Sequence, residues 1–430
     1  MALPFVSVLF ATVGSFALAA GASLNTSAAC TSIAKLYPNA VAYPPLDLVH
    51  PSPANLNFTY TATHYWNSGN GQLIPSCIFY PSTGKQVADA VKVLNQYPDV
   101  PWATKSGGHN PNKGWSSVDQ GVLISFRPFM QGTKLSADKS YADVGPGARW
   151  NEAVGNISSS GKALVGGRLG DVGVGGYTLG GGLSFLSSQY GFACDQVLSY
   201  EVVLANGTLT TVSKDQNQDL FYALKGGGNQ FAIVTNFRML TVPIGQVWGG
   251  IKIYTGDKAA ALVNATHDFA QNYPDEKAAV IVTYESLLDT LVDILFIFYF
   301  YNGPTVPEGV FDKFDAIEPL VDQTKVQSYA DLLDANDEAN IYGFNYLIRG
   351  QTIPLLAGDD GRALLQYQYD SFTEYAAQTQ PQNIDLLVYS FAFQPMSQII
   401  QNASQRAGDA LGQRNALGLN PDDGDRIWVS

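Results

Sequence analysis

The chain has 430 residues, 46% of them hydrophobic and 14% charged, enough for two or three domains around a large core. Aromatic residues make up 12% and there are 42 glycines, which excludes a disordered chain and a simple helical array; no repeat of fixed period marks a solenoid or propeller. A formal charge of −13 sets the chain against phosphate backbones, so nucleic-acid binding is not expected, and four histidines with three cysteines are too few for most zinc or iron–sulfur sites, so no metal is expected.

The apolar run Phe5–Ala20 ends in Ala17-Leu18-Ala19, and the first charged residue is Lys35. Residues 1–20 therefore read as a secretory signal peptide; as a membrane anchor the run is short and lacks a basic stop-transfer flank. Six N-x-S/T sequons follow, at Asn25, Asn57, Asn156, Asn206, Asn264 and Asn402, which suits a secreted protein carrying N-glycans. In that oxidising compartment a bridge between Cys30 and Cys77 would tie the mature N-terminus to the body, leaving Cys194 as a buried free thiol.

The spacing of Val87, Ala90, Val91 and Leu94 predicts a helix over 82–96, capped by Ser82 or Thr83. Strands are expected at 121–126 and 141–144, then a helix over 150–160 ended by Gly161. Residues 197–212 read as a hairpin whose Asn206-Gly207 pair suits a type I′ turn. Near Thr241-Val242-Pro243 the glycine-dense texture stops, which places a domain boundary there. Beyond it, strands are expected at 248–254, 281–285, 291–301, 341–348 and 384–393, with helices at 257–272 and 361–379. Asp293 interrupts the apolar segment 291–300, which is too short to span a bilayer and reads as a buried strand. The second half thus reads as a sheet with helices on one face.

Familiar nucleotide and hydrolase motifs are absent. Gly173-x-Gly175 is followed by Thr178 where a nicotinamide fingerprint needs glycine, and Gly161-Lys162 lacks the Walker A context. No G-x-S-x-G elbow, HExxH or CxxC occurs. Glycine clusters appear instead at Lys105–Asn110, Gly166–Gly182 and Gly226–Gly228. Such clusters serve either tight turns and close packing, or exposure of backbone N–H groups to a diphosphate; an acidic chain would bind one through backbone dipoles. Three clusters in one half point to a dinucleotide. His109 directly follows two glycines, as a polar turn residue, a covalent attachment point or a base.

Four segments carry a resemblance: SGGH at 106–109, GDVGVGGYTLGGG at 170–182, YGFACDQV at 190–197 and DLFYALKGGGNQFAIVTNF at 219–237. In order and spacing the chain resembles the FAD-linked oxidoreductases of the berberine-bridge-enzyme-like group, with a PCMH-type (vanillyl-alcohol-oxidase-like) FAD domain, most of all the secreted fungal members. The resemblance runs from about Cys30 to the end. It implies an α+β fold: a two-part FAD-binding domain over 24–242, then a substrate domain over 243–430 with an antiparallel sheet covered by helices. Cys30 and Cys77 match the family's N-terminal disulfide.

The same resemblance implies FAD bonded to His109 and a pyrophosphate loop made of Lys105, Ser106, Gly107, Gly108, His109 and Asn110. Gly173, Val174, Gly175, Gly176, Gly180, Gly181 and Gly182 match the second stretch lining the cofactor, and Ile233 and Val234 the strand passing it. Tyr177, at the flavin N1–C2=O edge, Gln394, on the substrate-facing strand, and Tyr346 are the expected catalytic side chains. Bicovalent relatives carry a cysteine where this chain has Leu169, so attachment through His109 alone is expected. The implied reaction is oxidation of a small organic substrate, a metabolite or alcohol, with proton removal by a base and hydride transfer to flavin N5, dioxygen being the acceptor. Candidate bases are Tyr284, Glu285, Tyr299, Tyr301, Tyr346 and Tyr389. Family chains usually continue with a segment bearing an asparagine–tyrosine pair, whereas this sequence stops at Ile427-Trp428-Val429-Ser430; a truncated substrate domain with apolar surface or a sheet edge uncovered is expected. The alternatives are a carbohydrate oxidase, with Trp66, Trp115 and Trp248 available as sugar platforms, and a vestigial flavin-binding protein without turnover.

Overall fold

The computed structural model describes residues 24–45, 47, 49–50, 52–287, 293–379 and 388–430, and the expected signal peptide lies outside them. Helix Leu24–Leu36 is tied by the Cys30–Cys77 disulfide to a buried strand, Cys77–Phe79, as the resemblance implies. Cys194 is the buried free thiol.

The first part of the chain builds two small sheets. In one, strands Val41–Ala42, Cys77–Phe79, Val122–Ser125 and Trp102–Lys105 lie side by side, the last three parallel. Helix Gly84–Leu94 covers them; Thr83 is its cap, its hydroxyl accepting from Gln86 N–H. Val87, Ala90, Val91 and Leu94 are buried, each large one contributing roughly 1.5–3 kcal/mol. The other sheet is antiparallel, ordered Thr133–Leu135, Tyr141–Val144, Ile233–Leu240, Val197–Val203, Leu209–Ser213. Its hairpin corrects the expected turn. Of the Asn206-Gly207 pair only Gly207 has positive φ, at +77°. Gly207 N–H closes onto Leu204 C=O and Leu204 N–H onto Thr208 C=O, a type I turn followed by a glycine bulge.

The second part forms one antiparallel sheet in the order Val321–Asp322, Gln246–Thr255, Asp293–Tyr301, Ala278–Leu287, Val388–Met396, Arg426–Val429, Gln351–Pro354. Strand alternation sends Val280, Val282, Tyr284, Leu295, Ile297 and Tyr299 to one face. There they pack with Leu262, Val263 and Phe269 of helix Ala259–Asn272 and Leu365 of helix Gly358–Thr379. The other face turns Ala279, Ile281, Phe296, Phe298 and Phe300 towards Trp150, Val174 and Phe185 of the first part. One core therefore crosses the expected boundary, where strand Val242–Pro243 also pairs back to Lys162–Ala163.

Residues 341–348 are not the strand expected. Gly343 takes φ +98°, and the Phe344 and Tyr346 carbonyls are bound by Ser68 N–H and the Asn67 amide, so the segment lies against residues 67–68 as a strap. Gln351–Pro354 pairs in the sheet instead. Residues 291–292 and 384–387 of two expected strands lie outside the described residues. Arg426–Val429 is paired on both sides, and among the described residues the sheet edge on that side is Gln351–Pro354.

Candidate active site

Strand Trp102–Lys105 delivers the chain into Ser106–Asn110, which meets the start of helix Val174–Leu179. The approach is backbone to backbone. A Cβ on Gly107 would sit 2.6 Å from the Gly173 nitrogen, and one on Gly173 2.4 Å from the Gly107 nitrogen, so neither position admits a side chain. Ser106 locks the contact: its hydroxyl donates to Pro146 C=O at 2.6 Å and accepts from Gly175 N–H at 3.3 Å. The N–H groups of Gly107, Gly108, His109 and Asn110 find no acceptor among the described residues, and a Cβ on Gly176 would meet no atom within 4 Å. Four free donors beside open space form an anion cradle without basic side chains.

The predicted loop residues divide by role. Lys105 does not face an anion. Its buried ammonium donates to Thr61 and His64 C=O, at 2.7 Å each, and lies over the Tyr65 ring, so it ties down the end of helix Phe58–Thr63. Burial holds its pKa well below the lysine range, aided by Arg149 and Arg127. Asn110 accepts from the Asn70 side chain through its backbone C=O. His109 differs: its Nδ1 is buried and has no hydrogen-bond partner among the described residues. Burial, with Arg149 nearby, lowers its pKa to about 4, so the imidazole is neutral at pH 7. Trp66 stacks on it at 4.4 Å between ring centres, and Tyr346 stacks on Trp66 at 3.8 Å.

The second glycine stretch also divides. Gly173, Val174, Gly175 and Gly176 belong to the cradle, Val174 N–H bonding Ala148 C=O. Gly181 and Gly182, at φ +106° and +83°, turn the chain: Gly181 packs on Leu417, and Gly182 on Tyr177 and Ala193. Gly226 of the third cluster packs on Leu417 too, so that cluster serves packing. Tyr177 meets Trp150 edge-on and donates its hydroxyl to Leu183 C=O. Val234 is in the core and Ile233 partly buried beside it, paired with Val202 and Val203.

On the large antiparallel sheet, alternation sorts five of the six candidate bases, Tyr346 lying on the strap instead. Tyr284, Tyr299 and Tyr301 lie on the helix-covered face: Tyr284 against Tyr369 and Phe393, Tyr299 on the Tyr254 hydroxyl, Tyr301 on Asp275. Tyr389 is bonded to Thr379 of helix Gly358–Thr379. Burial raises the first three phenols, Tyr301 to about 12, which removes them as bases. Glu285 and Gln394 share the opposite face with Ile281 and Ala392, since Glu285 pairs with Ser390 and Thr283 with Ala392. The Glu285 carboxylate has no hydrogen-bond partner among the described residues, and burial raises it to about 7. Burial, and then the Glu285 charge, raise the Tyr346 phenol, so the two side chains lie within electrostatic reach of each other.

Arg168 was assigned no role by the sequence motifs, although a cation inside the Gly166–Gly182 run was the available signal. Its Nη2 donates to Gln394 Oε1 at 2.6 Å, bridging the two parts of the chain. Trp248, a suggested sugar platform, is packed against Phe311 and Tyr299, while Trp115 is exposed.

The residues fit a flavin dinucleotide: an unpartnered neutral imidazole, a cradle of backbone donors, and a facing sheet with a carboxyl and an amide. Residues 75–213 match the model of the FAD-binding domain family. An uncharacterized FAD-linked oxidoreductase of Arthroderma benhamiae is 37% identical over 364 residues, 84% of this chain and 71% of that protein. Berberine bridge enzyme from Eschscholzia californica has a similar structure, TM-score 0.67 at 18% identity, covering 93% of this chain and 78% of that one. Glucooligosaccharide oxidase from Acremonium strictum, described with a 6-S-cysteinyl, 8α-N1-histidyl FAD, gives TM-score 0.65 at 19% identity, covering 94% and 81%. The chain belongs to the FAD-linked oxidoreductases, and its PCMH-type α+β fold, with an antiparallel sheet covered by helices, is that of berberine bridge enzyme.

Proposed function

We propose that the protein is a secreted oxidase that holds FAD through a single bond to His109 and oxidises a small organic molecule. The observation that carries the reading is the buried Nδ1 of a neutral His109, which has no hydrogen-bond partner among the described residues. An imidazole of lowered pKa keeps a free lone pair for bond formation, and Leu169 offers no second nucleophile. Gly107, Gly108, His109 and Asn110 would hold the pyrophosphate by their N–H groups, with Gly173, Gly175 and Gly176 allowing its approach. Held there, FAD would supply two-electron oxidation chemistry, with dioxygen as the acceptor. Glu285 takes the substrate proton, its carboxyl poised near pH 7, and Tyr346 orients the substrate beside it. Gln394 and Arg168 lie on the same inner side of the substrate sheet. Secretion is supported by the Cys30–Cys77 disulfide and by the six sequon asparagines, every one exposed, as N-glycans require.

The test is retention of flavin after unfolding. The purified protein is denatured in acid and detergent, and flavin fluorescence is read on the protein band. Fluorescence is expected on the wild type and absent from His109→Ala. A folded wild type whose flavin is released on denaturation would overturn the covalent bond; one that never carries flavin would overturn the oxidase reading itself.

A further inference from the structure

No hydrogen bond holds the His109 Nδ1 among the described residues. The last torsion of a histidine side chain is broad, so packing has to set the plane of the ring. That packing comes from Trp66, whose indole lies over the imidazole at 4.4 Å between ring centres and 13° between planes. Tyr346 stacks on the same indole at 3.8 Å and 7°. Two rings so centred and so nearly parallel cannot share one face, so Trp66 is sandwiched and has no face free for a sugar. Its position is referenced to the cofactor loop. Trp66 N–H donates to Gly108 C=O at 3.2 Å, the Asn67 amide to Pro111 C=O at 2.7 Å and the Asn70 amide to Asn110 C=O at 2.9 Å. These three bonds bracket His109, and both asparagines are buried. From the other side Ser68 N–H and the Asn67 amide bind the strap carbonyls of Phe344 and Tyr346. The indole cannot swing off the imidazole without breaking into this brace.

We propose that Trp66 is a positioning residue for cofactor attachment: stacked on His109, it holds the imidazole in the plane from which Nδ1 reaches the flavin methyl carbon. This rests on the covalent reading above and names the residue that prepares the bond. The bond replaces the imidazole N–H and one C–H of the methyl group; two protons leave, and two electrons pass through the flavin to dioxygen. Orientation of the attacking nitrogen sets the rate of such a step. A hydrogen bond to Nδ1 would also fix the ring, but it would occupy the nitrogen that reacts. A stacked ring fixes the plane and leaves that nitrogen free.

The test follows bond formation in time. The full chain is produced in a riboflavin-starved host and mixed with FAD. Total FAD taken up is read by absorbance after gel filtration, and bonded flavin by fluorescence on the denatured protein band. Wild type is compared with Trp66→Phe and Trp66→Leu, two apolar side chains of similar volume of which only the first keeps a flat ring. Unchanged circular dichroism checks the fold, and Trp66→Met, equally ringless, stands in if the leucine variant does not fold. Trp66→Leu should bond flavin about tenfold more slowly than wild type, the scale of one aromatic stack. Trp66→Phe should recover most of the rate, and total uptake should be alike in all three. Equal bonding rates in the leucine and phenylalanine variants overturn the inference, since any apolar side chain would then serve. Faster bonding in Trp66→Leu overturns it as well, by showing the indole to stand in the cofactor's way. A fall in total uptake that accounts for the fall in bonding assigns Trp66 to cofactor binding and also overturns it. Wild type that takes up no FAD, or never bonds it, defeats the covalent reading and this inference together. Wild type that bonds FAD no faster than Trp66→Leu defeats this inference alone.

Discussion

A carboxylate in the unfolded chain loses its proton near pH 4.5, and burial raises Glu285 to about 7. The sign follows directly: the folded state favours the protonated acid, so the group is an effective base only above about pH 7. Turnover of the flavin-loaded enzyme should therefore rise with pH through that region. Glu285→Gln should cut kcat by roughly 10²- to 10⁴-fold and remove this limb, leaving flavin content unchanged. Substrate binding should survive, since glutamine keeps the volume of the side chain. A variant retaining the pH limb would move the role to Tyr346, the other candidate on this side. The identity of the base was open in the sequence because six residues satisfied the same pattern. Pairing register narrows the set: Tyr284 and Glu285 are neighbours in the chain and face opposite sides of the sheet.

Between elements, the two glycine stretches do different work at different positions. Gly173→Ala drives a methyl to 2.4 Å from the Gly107 nitrogen, a backbone atom that cannot swing aside. A cost of about 1–3 kcal/mol is expected, with the cradle forced open. Gly176→Ala meets no atom within 4 Å and lies in helix Val174–Leu179, where alanine is favoured by roughly 0.5–1 kcal/mol. Its stability should hold or rise in denaturant titration, yet flavin loading should fall, because the methyl fills the space beside the free N–H groups. Equal loading in Gly176→Ala and wild type would place the cofactor elsewhere. The glycine pattern announced both stretches from sequence, and it also announced Gly226–Gly228, which packs on Leu417 and Ala223. Composition cannot distinguish a glycine that admits a ligand from one that admits a leucine. The strap at 341–348 is a related case: its alternation suits a strand, but Gly343 and the bonds to Asn67 and Ser68 hold it against residues 67–68.

Over the whole molecule, the boundary near residue 242 separates two sequence textures without separating two cores. Trp150, Phe185 and Tyr200 from one side and Val247, Phe298 and Phe300 from the other belong to a single buried cluster. Phe300 is fully buried, stacked on Phe185 at 5.1 Å and edge-on to Tyr329. The large sheet thus seats its inner face on the FAD-binding part, which also brings Gln394 to Arg168. Such a molecule should unfold as one unit. Phe300→Ala removes a ring at the joint and should cost about 3–5 kcal/mol. The loss should appear equally in flavin fluorescence, which reports the first part, and in far-ultraviolet circular dichroism, which reports the large sheet. Both midpoints should shift together in denaturant. Two separated transitions, with the flavin signal unmoved by Phe300→Ala, would show the parts folding independently and the shared cluster contributing little to either.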